Sequence, residues 1–534
     1  MEKYLWWRDG VIYQIYPRSF MDSNADGIGD LPGIISKLDY IKNLGIDALW
    51  LSPIYPSPDV DYGYDVSDYR GIDKKYGTMK DFETLLTQAH KRKIKIILDL
   101  VLNHTSDQHP WFQESRKSRN NPFRDYYIWR DAKKDGELPN NWRSIVGGSM
   151  WELDPLTGQY YLHHYFTQQP DLNWRNPQVR KEMLDVFCFW LEKGVDGFRL
   201  DVFSAYFKDA NFTDNPKKTF GIRPFDRLDH IYDTDQPEMI PLLQEIRTLL
   251  DSYHERYVVG ETYLPTYEKA VQYSGNDRLH AAFSFEFLES KWQAKSFLKI
   301  IKQWEKVTEG KSWPNYVLNN HDVKRSATRY GQGQDDERLK VAAAMLLTIR
   351  GTPFLYNGEE IGMRDGKLKK REILDPAGLL YWPLFKGRDG CRTPMQWNDS
   401  KFAGFSITQP WLPVNPDYLH RNVEMQEQDE GSLLCFYRKL LKLRKEHPAL
   451  MQGDFEVAIP SPANTMIFFR CLPEEQIMIA LNFSSRAKKI DLDRLCTQDC
   501  ELLLSSYEGS KEQVIASTFL LHGNEAAIFA LKRI

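Results

Sequence analysis

The sequence has no apolar run long enough to cross a membrane. Its longest, such as Val341 to Leu347, falls far short of the roughly 20 residues a spanning helix needs. It also lacks an excess of one charge: 70 Lys plus Arg stand against 74 Asp plus Glu, a formal charge of −4. With no long block of like charge, a nucleic acid or an anionic membrane is not expected as the main partner. The cysteines (Cys188, Cys391, Cys435, Cys471, Cys496 and Cys500) form no CxxC pair and no zinc-finger spacing, and read as free thiols in a reducing compartment. The opening residues, Met1 to Arg8, carry no apolar signal-peptide core, so a cytoplasmic location is expected. No internal repeat, low-complexity tract or Gly/Ser linker is found, and nothing identifies a protein partner.

What is present is a chain of 534 residues, room for three or four domains of roughly 150 residues or for one large α/β barrel with additions. Short β-rich runs alternate with longer amphipathic stretches through most of the first 450 or so residues, which predicts parallel strands linked by helices, in a barrel or an open sheet. The strand-like runs are Val11 to Tyr16, Ala48 to Ser52, Ile94 to Leu100, Gly197 to Asp201, Tyr257 to Gly260, Ala281 to Phe287, Tyr316 to Asn319 and Pro353 to Asn357. Val179 to Lys193 and Arg338 to Ile349 have helical spacing of apolar residues. The stretch after His104, rich in Trp, Tyr, Asn, Gly and Pro, is too long for a plain loop and predicts a small inserted domain. From Asp454 onward short alternating runs predict an antiparallel β-domain.

In a parallel barrel the functional side chains collect at the carboxyl ends of strands. Five exits carry polar groups: Asp99 to His104, Gly197-Phe-Arg199-Leu-Asp201, Val259-Gly-Glu261-Thr262, Leu318-Asn-Asn-His321-Asp322 and Tyr356 to Glu360. Any one of these could be a helix cap or a structural ion pair, but five at successive exits point to a site. Arg199 and Asp201 lie two apart in a strand and share a face, so the guanidinium is expected to lower the Asp201 pKa and keep a nucleophile ionised. Glu261 follows the apolar Tyr-Val-Val-Gly, where desolvation would hold a proton ready for donation. Two carboxyls with opposed environments make a nucleophile and an acid, and at about 5 to 5.5 Å apart they suit retaining glycoside hydrolysis.

These motifs resemble the α-amylase family of retaining glycosidases, glycoside hydrolase family 13, and within it the α-glucosidase and oligo-1,6-glucosidase group, from about Val11 to beyond Trp397. The resemblance implies an α/β fold: a (β/α)8 TIM barrel over 1–103 and 171–453, an inserted domain over 104–170 after strand 3, and a C-terminal antiparallel β-sandwich over 454–534. It implies that Asp201 is the nucleophile, Glu261 the acid/base and Asp322 the third carboxylate, with His104, Arg199 and His321 holding the remaining oxygens of one glucose. Asp61-Tyr-Gly-Tyr64-Asp65 resembles the family's Asp-x-Gly-Tyr-Asp element. Tyr64 would stack on the sugar, and Arg392 would pair with Asp61 to grip the terminal 4-OH, with Arg388 the weaker candidate for that pairing. Such a closed end implies exo action on a small oligosaccharide, a retaining α-glucosidase. Gln169-Pro-Asp-Leu-Asn-Trp174 also resembles the oligo-1,6-glucosidase form.

Val202, after the nucleophile, accompanies α-1,6 preference in this group. The following Phe203-Ser-Ala-Tyr206 departs from the usual Ile-Asn, which leaves α-1,4 open. Glucosyl transfer or isomerisation on sucrose, maltose or trehalose-type sugars is the alternative, and a non-catalytic transporter-associated homologue a remote one. A trehalose-6-phosphate hydrolase would need a basic cluster; the Lys367 to Arg371 run reads rather as a solvated face. Finally, Asp22, Asn24, Asp26, Ile28 and Asp30 sit at positions one, three, five, seven and nine of a calcium-loop-like pattern, with Gly33 where a bidentate Glu would be. The resemblance implies a structural Ca2+ (or Mg2+) there, an Asx-rich turn being the plain alternative. No cofactor for catalysis is expected.

Overall fold

The structure, a computed structural model, describes residues 2–262, 266–283, 285–331, 336–458, 461–495, 500–508, 514–515 and 517–531. Eight parallel strands follow in chain order: β1 (Ile12–Ile15), β2 (Ala48–Leu51), β3 (Lys95–Leu100), β4 (Gly197–Leu200), β5 (Tyr257–Glu261), β6 (Ala281–Phe283), β7 (Asn315–Val317) and β8 (Thr352–Tyr356). They form one sheet ordered β7-β8-β1-β2-β3-β4-β5-β6. Its two edges, β6 and β7, lie beside one another, so the sheet curls into a nearly closed (β/α)8 barrel. The β6 run is shorter than its sequence pattern, and Ser284 within it lies outside the described residues.

The strands are buried on both faces, as helix-covered parallel strands must be. Ile12, Ala48, Ile97, Val259, Ala281, Phe283, Val317 and Phe354 form an interior cluster separate from the larger core between strands and helices. The helix Pro177–Glu192 shows the local logic. Asn176 caps it by accepting from the Gln178 N–H, Pro177 opens it at the position where a missing donor costs nothing, and Val179, Met183, Val186, Phe187 and Trp190 bury one face.

Between β3 and β4 lies a three-stranded antiparallel sheet of Trp129–Arg130, Gln159–Leu162 and Trp151–Asp154, within the inserted segment. At the C-terminus, Asp454–Val457, Thr465–Leu472, Glu475–Asn482, Ala526–Leu531 and Cys500–Ser505 make a five-stranded antiparallel sheet, and Lys488–Asp491, Thr518–Leu521 and Val514–Ile515 a three-stranded one. Ile467, Met478, Ile490, Phe519 and Phe529 fill a shared core. Five cysteines are free thiols, and Cys496 lies outside the described residues. Among the described residues no helix is long and apolar enough to cross a membrane.

Candidate active site

A cavity of about 1060 Å³ opens at the carboxyl ends of the barrel strands. Asp61, Tyr64, His104, Asp201, Val202, Glu261, His321 and Asp322 all line it, and so does Arg388. Arg199 and Arg392 lie behind this wall, fully buried.

Asp99 on β3 stands in register with Arg199 on β4. One guanidinium nitrogen, Nη1, donates to Asp99 Oδ1 (2.8 Å) and to Asp201 Oδ1 (2.7 Å), while Nη2 contacts Glu261 Oε2. The two carboxyls of interest therefore sit on the two terminal nitrogens of a single arginine. Asp99 is buried and also accepts from Trp50 Nε1 and Tyr64 OH, each at 3.2 Å. It was absent from the sequence-based site, although it stands at one of the five polar strand exits.

The expected ionisation of Asp201 needs correction. Burial pushes its carboxyl up to about 7; Arg199 pulls it down, and the neighbouring charges of Asp99 and Asp322 push it up again. The guanidinium alone would lower it, but the loss of water and the second carboxylate on the same arginine outweigh that. Asp322 behaves oppositely. Burial raises its pKa, but His321, Arg392 and Arg388 outweigh that and hold it well below the usual carboxylate range.

The arginine pairing also needs correction. Arg388, not Arg392, meets Asp61: its Nη2 donates to Asp61 Oδ1 at 2.7 Å. Asp375 fixes Arg388 by accepting from Nε (3.0 Å) and Nη2 (3.1 Å). Arg392 instead donates from Nη2 to Asp322 Oδ1 (2.8 Å) and from Nε to the His321 carbonyl (2.7 Å). Arg388 caps and Arg392 ends a 3-10 turn, Asp389–Arg392, and at about three residues per turn a separation of four points them in different directions.

His321 is held by three neighbours. Gln14 Nε2 donates to Nδ1 (2.8 Å), which assigns the ring proton to Nε2, facing Tyr64 OH (2.6 Å) and Asp322 Oδ2 (3.2 Å). Burial lowers its pKa to about 3, so the ring is neutral. The Tyr64 ring lies parallel to it at 5.2 Å. His104 Nε2 meets the Tyr64 carbonyl at 3.0 Å, and burial keeps this ring neutral as well. Gln169 Nε2 donates to Asp61 Oδ2 at 3.2 Å, so the inserted segment closes onto the same end of the cavity. Gln14 and Asp375 had no distinguishing sequence signal, since only the fold brings them to the site.

Val202 has φ of +34°, a left-handed conformation that a β-branched residue adopts only at a cost of order 1–3 kcal/mol. The turn it makes carries the chain off β4 into the buried 3-10 turn Phe203–Ala205. Gly260 on β5 permits the close packing, because a Cβ there would fall 2.4 Å from the Phe203 ring.

The predicted metal residues lie elsewhere, none of them on the cavity wall. Asp22 accepts from the N–H groups of Asn24 (3.1 Å) and Gly27 (2.9 Å), Asn24 from Asp26 (2.9 Å), Asp26 from Ile28 (2.8 Å) and Asp30 from Gly33 (2.6 Å). Turned onto their own backbone in this way, they leave no group of three or more His, Cys, Asp or Glu converging on a metal among the described residues. Both Asp22 oxygens already accept two hydrogen bonds, from Asn24, Ala25 and Gly27 N–H and from Ser406 Oγ, and Asp30 Oδ2 accepts two from Ser23, but the donors are all oxygens, the chemistry that suits a hard cation such as Ca2+. The Lys367 to Arg371 segment does not line the cavity.

The model of the alpha-amylase catalytic domain matches residues 14–453, and the chain belongs to that family, glycoside hydrolase family 13. It is 42% identical to an oligo-1,6-glucosidase of Parageobacillus thermoglucosidasius, covering 94% of this chain and 95% of that one. It is also 42% identical to a probable alpha-glucosidase of Rhizobium meliloti, covering 92% of each. Among solved structures, the alpha-glucosyl transfer enzyme XgtA superposes with a TM-score of 0.93 at 39% identity, covering 99% of this chain and 100% of that one. The trehalose-6-phosphate hydrolase TreA of Bacillus licheniformis gives 0.90 at 36%, with the same coverage.

Proposed function

We propose that the protein is a retaining exo-acting α-glucosidase that removes terminal non-reducing α-linked glucose from short oligosaccharides, α-1,6 links favoured and α-1,4 links accepted. The observation that carries this reading is a cavity closed at one end by the Arg388–Asp61 pair, with Asp201, Glu261 and Asp322 on its wall. The names of the relatives agree with it.

In the first step Asp201 attacks the anomeric carbon as Glu261 gives its proton to the departing oxygen, leaving a glucosyl ester on Asp201. Water, deprotonated by Glu261, then breaks that ester and releases glucose with its original configuration. Arg199 bridges Asp99, Asp201 and Glu261, and one positive charge among three carboxyls favours retention of a proton within the cluster. Asp322, kept anionic by its arginines, accepts from the hydroxyls at C2 and C3, where hydrogen bonds strengthen as the ring flattens. Neutral His104 and His321 bind further hydroxyls, and Asp61 with Arg388 takes the 4-OH. If an acceptor sugar replaces water in the second step, the same groups perform glucosyl transfer, and the likeness to XgtA favours this as the second reading.

The deciding experiment is Glu261→Gln, assayed on an aryl α-glucoside and on isomaltose. The loss should be much larger on isomaltose, whose leaving group needs the proton; equal losses would remove Glu261 from that role. For the loop of Asp22, Asn24, Asp26, Ile28 and Asp30 we propose a structural Ca2+ (or Mg2+). Chelation should lower the melting temperature and added Ca2+ restore it, whereas an unchanged melt would leave only an Asx-rich turn. A small oligosaccharide as substrate and a cytoplasmic location complete the proposal.

A further inference from the structure

A second cavity, of about 450 Å³, shares no lining residue with the catalytic one. It lies in the joint between the barrel and the C-terminal sheet. One wall is the helix Leu433–Glu446, the other the strand Cys500–Ser505 at the edge of the five-stranded sheet. A β-bulge shapes it. Leu502 and Leu504 face the consecutive residues Phe529 and Ile528 of the neighbouring strand, leaving Leu503 extra, and such a bulge re-aims a side chain. Leu502 accordingly packs on the C-terminal core, while Leu503 and Leu504 both pack on the large core shared with the barrel helices; regular alternation would send these two to opposite faces. Just beyond the strand, the Tyr507 ring is braced from behind. It stacks on His522 at 3.9 Å, 15° from parallel, and the Tyr507 N–H donates to Ser505 Oγ at 2.9 Å. The buried Glu525 ties both supports, accepting from Ser505 Oγ and from the His522 N–H, each at 2.6 Å. Tyr507 is nevertheless 42% exposed and lines the cavity, whereas His522 does not.

We infer that this cavity is a second carbohydrate site, separate from the catalytic one, for a short neutral oligosaccharide. Its volume falls within the roughly 300–1,000 Å³ of small-molecule sites. A sugar has an apolar face of C–H groups and a polar edge of hydroxyls, and the cavity offers a counterpart to each. Tyr507, Leu503 and Leu504 supply apolar surface, while Ser505 and the charged side chains around it supply donors and acceptors. The charges select the ligand class. Lys439 and Lys442 stand against Glu446 and Glu508, Lys439 is held by the Glu430 carbonyl (3.0 Å), and Lys442 lies 3.7 Å from Glu446. With neither sign in excess, the wall has no field to hold an anion or a cation. The braced tyrosine has little freedom left to lose when a ligand settles on it, which favours binding.

The experiment is equilibrium dialysis of labelled isomaltotriose against the full chain carrying Asp201→Asn, which stops turnover. Saturation should find two trisaccharides per chain. Adding Tyr507→Ala should weaken one of them about tenfold or more and leave the other unchanged, whereas Tyr507→Phe, which keeps the ring, should keep both. The double variant Lys439→Ala/Lys442→Ala changes only exposed side chains of the helix and should weaken the same site, which keeps the test decisive if a thermal melt shows Tyr507→Ala to be unfolded. A single trisaccharide that neither variant touches, or a second that neither weakens, overturns the inference. A single one that Tyr507→Ala abolishes upholds it and counts instead against the catalytic cavity, so the two readings fail separately. Inorganic phosphate that displaces the Tyr507-dependent trisaccharide would assign the cavity to an anion and overturn the inference as well.

Discussion

Asp201 sits where three influences meet, and their balance sets the pH at which the enzyme works. Burial moves its carboxyl to about 7 in spite of the guanidinium 2.7 Å away, because the same guanidinium is shared with Asp99. A nucleophile must be ionised, so the active fraction falls as pH drops through that value. The acid limb of kcat/KM on an aryl α-glucoside should bend near pH 7. Asp99→Asn removes a negative charge and leaves Arg199 more fully to Asp201, and both changes favour the ionised nucleophile. The limb should then move to lower pH, and an unmoved limb would show that Asp99 does not set the charge on Asp201.

The turn joining Arg388 to Arg392 assigns two different tasks. Arg388 holds Asp61 and Asp375 at the closed end of the cavity, and Arg392 holds Asp322 beside the reacting carbon. Losing a charged hydrogen bond costs about 1.5–3 kcal/mol, or roughly 10- to 100-fold in kcat/KM. Arg388→Lys, which cannot keep the forked grip on Asp375, should lose that much on isomaltose. Arg388→Ala should further admit chain interiors, so that chromatography of dextran digests shows fragments larger than glucose; glucose as the sole product would mean that the cavity ends elsewhere. The sequence pattern could not separate the two arginines, because the segment after β8 has no periodicity to fix directions. The carboxylates Asp201, Glu261 and Asp322 were legible because each follows an apolar strand, and strand exits are where a parallel barrel places its chemistry. Asp99 sits at such an exit too, but its part depends on register with Arg199, which only the folded sheet sets.

Across the whole molecule, the barrel and the C-terminal sheet meet through buried arginines. Arg470, on the strand Thr465–Leu472, donates to the carbonyl oxygens of Thr348 (2.6 Å), Leu450 (2.9 Å) and Gly453 (2.8 Å). Arg444 donates to those of Leu347 (2.9 Å), Leu450 (2.8 Å) and Gly351 (3.1 Å). Leu347 and Thr348 end the helix Glu337–Thr348, whose last carbonyls have no partner within the helix and favour a cation. Strand periodicity reveals only part of this. Arg470 shares a strand face with Met466 and Phe468, so alternation turns it inward while its charge reads as exposed, and only the fold sets it, fully buried, against the helix end. Arg470→Met keeps similar volume but strips those carbonyls of their donor. The cost should be about 3 kcal/mol, since a buried carbonyl left unpaired costs roughly 1–3 kcal/mol. The loss should fall on the joint, so urea should release the C-terminal sheet before the barrel, and limited proteolysis should cut first within residues 454–531. A single transition at the native midpoint would show that the two parts are held together by their apolar contacts alone.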